Sequence, residues 1–113
     1  MGHAPYPISS MQPSNILHIK SLNDEWCDKD TVMLHACFQL LVDFLEEDQE
    51  TGHLTDWDFD EKHRNALAEM LVLRDWWELR FRMSEESVSA ENHYAKDNEM
   101  LSRLIAVRWA MWV

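Results

Sequence analysis

The run Glu46-Glu47-Asp48-Gln49-Glu50 reads E-E-x-x-E. On a helix this spacing places Glu46, Glu47 and Glu50 at neighbouring positions, and oxygen-rich clusters of this kind suit Mg²⁺. His93 and Asp97 are four apart, as are His35 and Gln39, so each pair shares a helical face. Two such residues without a third ligand fall short of a metal centre. Cys27 and Cys37 match no zinc or redox spacing, and Cys37 falls on the apolar side of a predicted helix, where a thiol acts as a small hydrophobe. Gly2 and Gly52 are the only glycines, which excludes a glycine-rich phosphate loop. No Ser-His-Asp or Cys-His set is suggested by spacing.

The E-E-x-x-E run is similar to the first metal motif of the all-α nucleoside triphosphate pyrophosphohydrolases of the MazG type. The resemblance covers five residues. It implies Mg²⁺ held by Glu46, Glu47 and Glu50, and that reading would require Asp97 to converge on them, within one chain or across a subunit boundary. That family carries a second E-x-x-D motif on the next helix. Here Glu69 is followed by Val72, and Glu91 by Tyr94. The competing reading is a solvated acidic helix end that needs no cofactor.

Whatever the chemistry, 113 residues supply one domain. Apolar residues at 46 % allow a core, but a modest one that oligomerisation commonly supplements. Against 10 basic residues stand 21 acidic ones, a net charge of −11. That charge excludes a general nucleic-acid binder, which needs a basic face to displace counterions, and docking on anionic lipid. No apolar stretch reaches the roughly 20 residues that span a bilayer, and the N-terminus does not read as a secretory signal. The expected compartment is the cytoplasm. Few glycines and prolines point away from a turn-rich β-sandwich and toward helices.

Residues 1–23 hold all the prolines and little periodicity, and read as an irregular arm with Ile16, Leu17 and Ile19 pinned on the body. Residues 24–113 read as an up-down-up three-helix domain. The first helix starts near Asp28 or Asp30, either of which can cap it, and runs to about Gln49, with Gly52 as its stop. Its stripe is Leu34, Cys37, Phe38, Leu41 and Leu45. The second begins within 55–61, where Thr55 and Asp58 loosely resemble a capping box, and continues to about Arg82. Its predicted stripe is Leu67, Met70, Leu71, Trp77 and Phe81, with Arg74 inside it. The polar connector 83–89 leads to a third helix from about Ala90 to the chain end, with a stripe of Leu101, Leu104, Ile105 and Trp112.

Aligning the helix centres sets Arg74 level with Asp97, and Arg108 level with Glu46 and Glu47. The spacing therefore predicts inter-helix pairs Arg74–Asp97 and Arg108–Glu47 (or Glu46), with Glu99–Arg103 as a surface pair. A polar seam of His35, Asp43, Glu47, Arg74, Asp97 and Arg108 either fixes register or binds a small anionic or polar ligand. Six tryptophans are an unusual number, and tryptophan anchors interfaces. The chain closes on Trp109-Ala110-Met111-Trp112-Val113 without a polar cap. Trp76, Trp109, Met111 and Trp112 are thus the expected interface, toward a second copy or another protein.

Three stretches together resemble a group of small tailed-phage proteins: Trp26-Cys27-Asp28-Lys29-Asp30 leading into His35–Phe44; Trp76-Trp77; and Asp97–Arg108 ending in Trp112. The resemblance covers roughly residues 22–113. It implies synthesis in a bacterial cytoplasm and brings no activity and no site residues. The function expected from the whole is non-catalytic binding, as a host-takeover or counter-defence factor or a small assembly component. The partners would be the chain itself and a host or phage protein. The alternative is the Mg²⁺-dependent nucleotide chemistry above, or a nucleotide-binding protein.

Overall fold

The computed structural model describes residues 15–52, 55–82 and 90–112, with the side chains of 90–92 left aside. Residues 1–14 of the predicted arm and the connector 83–89 lie outside the described residues. Within them the chain is all-helical: α1 spans Lys29–Glu50, α2 Glu61–Arg80 and α3 Ala90–Ala106. A single 3₁₀ turn follows at Arg108–Ala110.

The three helices pack on one another. Trp77 near the end of α2 stacks on Phe38 in the first half of α1, with ring centroids 4.9 Å apart, whereas Trp57 ahead of α2 meets Phe44 at 6.2 Å. α1 and α2 therefore run antiparallel. Ion pairs Arg80–Asp97 and Glu69–Arg103 set α2 antiparallel to α3 in the same way. The core centres on Phe38, Leu41, Met70 and Leu73, all fully buried, with Trp77, Met100 and Leu104 around them.

Caps and stops explain the helix bounds. The Asp28 carbonyl accepts from the Thr31 and Val32 N–H groups at 3.1 and 3.0 Å, but its side chain makes no capping hydrogen bond, contrary to the sequence expectation. Gly52 closes α1 at φ +77°, the left-handed conformation glycine tolerates. At α2 the cap is Asp60, whose carboxylate accepts from the His63 N–H at 2.8 Å. Thr55 is buried and Asp58 is turned back on Asp56, so the expected Thr55–Asp58 box does not form.

The α2 stripe is rotated from the predicted one. It runs Ala66, Met70, Leu73, Trp77 and on to Arg80, while Phe81 is exposed. α3 buries His93, Asp97, Met100 and Leu104, with Val107 just past its end, and leaves Ile105 64 % exposed. α3 also stops at Ala106 and does not reach the chain end. Bonds from Val107 N–H to Leu104, and from Ala110 N–H to Val107, tighten the chain there. Val107 and Ala110, joined by the second of these bonds and three apart, are both buried, while Trp109 and Trp112 are exposed.

The segment ahead of α1 is tied to it. The Lys20 N–H donates to Gln39 Oε1 at 2.9 Å, and Ser21 Oγ meets His35 Nδ1 at 2.6 Å. Leu17 and Ile19 are half-buried as expected, while Ile16 is 72 % exposed.

Candidate functional site

Antiparallel packing gathers the start of α1, the end of α2 and the start of α3 at one end of the molecule. Between them opens a cleft of about 660 Å³. α1 contributes Asp30, Thr31, Met33, Leu34 and His35; α2 contributes Arg80 and Phe81; α3 contributes His93, Tyr94, Asp97, Asn98 and Leu101. The volume is that of a small-molecule site.

Arg80 and Asp97 dominate its wall. Nε donates to Oδ1 at 2.8 Å and Nη2 to Oδ2 at 3.0 Å, a two-pronged contact between side chains only 11 % and 9 % exposed. This corrects the predicted Arg74–Asp97 pair. Arg74 lies a turn and a half back on a different azimuth, and its guanidinium reaches the neighbouring Asp75 at 3.2 Å. The cause is the rotated stripe, which continues from Leu73 and Trp77 to Arg80 and leaves Arg74 at its flank.

Two histidines share the cleft. His35 sits edge-on to Trp77 at 4.7 Å. His93, 6 % exposed, lies one turn before Asp97, and its buried Nε2 has no hydrogen-bond partner among the described residues. The i,i+4 spacing of His93 and Asp97 was the signal for this wall. Asp43 stands apart, accepting from Gln39 Nε2 at 2.9 Å.

The acidic end of α1 is elsewhere. His35 and Glu47 are about 18 Å apart along the helix at 1.5 Å per residue, so Glu46, Glu47 and Glu50 do not meet Asp97 within one chain. No group of three or more His, Cys, Asp or Glu residues among those described is placed to hold a metal ion. Burial, then Asp43 and Glu50, push the Glu47 carboxyl up. The helix end is not wholly solvated as expected: Asp48 is 5 % exposed and accepts from the Trp57 indole N–H at 2.9 Å. Arg108 is exposed and makes no ion pair with Glu46 or Glu47, because the chain has left α-helical geometry before reaching it. Arg103 pairs across the seam with Glu69 at 2.6 and 2.7 Å, and Glu99 is met by Lys96. Burial raises the Cys37 thiol, which keeps it in the unreactive protonated form.

At the opposite end of α2 the surface is aromatic. Phe59, 71 % exposed, sits edge-on to His63 at 5.5 Å, and His63 edge-on to Trp109 at 5.2 Å. The Lys62 ammonium lies 4.3 Å from the Trp109 ring centre. Trp112 beyond it is 73 % exposed. Of the other expected interface residues, Met111 packs against the core, and half-buried Trp76 leans on Phe38 at 5.4 Å. Apolar spacing carries no sign that Phe59 and His63 join this row, because Phe59 lies in the turn ahead of α2 and His63 in its first turn, outside any stripe.

No family model, curated protein or solved structure matches this chain. Among the described residues no helix is long and apolar enough to cross a membrane.

Proposed function

We propose that this chain is an acidic helical protein of phage type that acts by binding another protein, without catalysis. The observation that supports it is the row Phe59, His63 and Trp109 with exposed Trp112 beyond it. Large aromatic rings in water are expensive to maintain on a monomer, and they are the residues that anchor interfaces. The net charge of −11 favours a partner with a basic surface and speeds the encounter. The resemblance to small tailed-phage proteins suggests the setting: a host bacterial cytoplasm, and a role in host takeover, counter-defence or assembly. A second copy of the chain is one partner in this reading, and a host or phage protein the other. No observation favours the Mg²⁺-dependent pyrophosphohydrolase alternative.

Light scattering at micromolar concentration, together with capture from bacterial lysate, tests the reading. Wild type is expected to exceed the monomer mass, and Trp109→Ser with Trp112→Ser to return it to monomer and abolish capture. A wild-type monomer whose captured proteins are unchanged by the double substitution would overturn it.

A further inference from the structure

We infer that the cleft between the three helix ends takes a small uncharged heteroaromatic molecule bearing adjacent N–H donor and acceptor groups, the chemistry of a nucleobase without its phosphates. The site lies at the other end of α2 from the aromatic row, so it goes beyond the protein-binding reading and stands or falls separately.

Four observations select that class. The cleft has the size that encloses a small molecule, about 660 Å³. His93 on its wall has a buried Nε2 without a partner among the described residues, and an unsatisfied buried polar atom calls for one. Arg80 Nε and Nη2 are committed to Asp97, and Asp30 at the rim leaves the wall with a net negative charge. A phosphate would therefore meet repulsion, and a cation would find Asp97 neutralised. Yet each Asp97 oxygen takes one bond from Arg80, which leaves acceptor capacity for an N–H of the ligand. Finally, Tyr94 and Phe81 line the cleft with exposed rings, which suits a flat aromatic guest.

The test uses the full chain and NMR of its histidine rings. It is titrated with adenosine, guanosine, cytidine and uridine, and in parallel with their 5′-triphosphates. At least one nucleoside is expected to shift the His93 signals saturably, with its triphosphate bound at least about tenfold more weakly. His93→Phe keeps a ring while removing both nitrogens. It is expected to raise the Tm of the free protein by about 2–5 °C and to weaken the nucleoside at least about tenfold. Tyr94→Ala, at the rim, is expected to weaken binding with Tm unchanged. The inference is overturned if no nucleoside moves His93 at millimolar concentration, if a triphosphate binds more tightly than its nucleoside, or if His93→Phe binds as wild type does.

Discussion

Arg80 and Asp97 join α2 to α3 by two parallel hydrogen bonds of 2.8 and 3.0 Å, and both side chains are nearly buried. Removing one partner of such a pair strands the other charge. Arg80→Ala is therefore expected to cost about 3–5 kcal/mol in urea unfolding. Arg74→Ala, whose guanidinium only reaches a neighbouring exposed carboxylate, should stay within about 0.5 kcal/mol of wild type. Equal costs for the two would contradict the pairing. Replacing both members, Arg80→Met with Asp97→Leu, should recover much of the loss.

The stripe on α2 makes a second prediction. Leu73 is fully buried and Ile105 on α3 is 64 % exposed, although both are aliphatic helix residues. Leu73→Ala should cost about 2–5 kcal/mol by opening a cavity. Ile105→Ala should change stability by less than about 0.5 kcal/mol. Thermal unfolding of the two variants side by side checks this.

Two glutamates should respond to pH in opposite senses. The hydrogen bonds from Arg103 hold Glu69 below its ordinary value, against the opposing effect of burial. Its stabilising contribution is complete above the unfolded value of about 4.3 and is lost as pH falls through the depressed folded value. Partial exposure keeps it small. Glu47 is raised by burial and by Asp43 and Glu50, so its charge opposes folding at neutral pH. That cost disappears as pH falls through the raised folded value and below about 4.3. Denaturant titrations should show Glu47→Gln more stable than wild type at pH 7 and equal to it near pH 3.5. Glu69→Gln should be less stable at pH 7, the gap closing on acidification.

Asp48 provides the fourth test. Trp57→Phe preserves a ring against Phe44 but deletes the indole N–H that donates to the buried Asp48 carboxylate. A loss of about 1–3 kcal/mol in thermal or urea unfolding is expected. A neutral outcome would mean that the bond contributes nothing.

The helices were legible because their signals are local. Leu34, Phe38, Leu41 and Leu45 repeat at steps of three and four, and all are buried. Gly52 marked the end of α1. Axial register is legible between α2 and α3 alone: aligning the helix centres sets Arg74 level with Asp97, less than two turns from the true partner Arg80. What failed was rotation about the α2 axis. Leu71, Leu73, Trp76 and Trp77 crowd two adjacent faces, and apolar spacing alone does not say which faces inward. A stripe through Leu71 instead of Leu73 puts Arg74 in the seam and Arg80 at its side. On α3 the inner face carries His93 and Asp97, which count as polar, so the stripe drifted toward Ile105. The cleft is therefore half visible: the spacings of His35, His93 and Asp97 mark its walls, whereas Arg80 as the partner of Asp97 and the burial of His93 need the packing.

Ser21 and Lys20 lie outside every helix, yet they are fastened to the middle of α1 through His35 and Gln39. Gln39 is 5 % exposed, so the amide it uses has no water to fall back on. A chain cut at Asp28 would lose the coil that occupies that acceptor. The coil ahead of α1 therefore belongs to the folded unit.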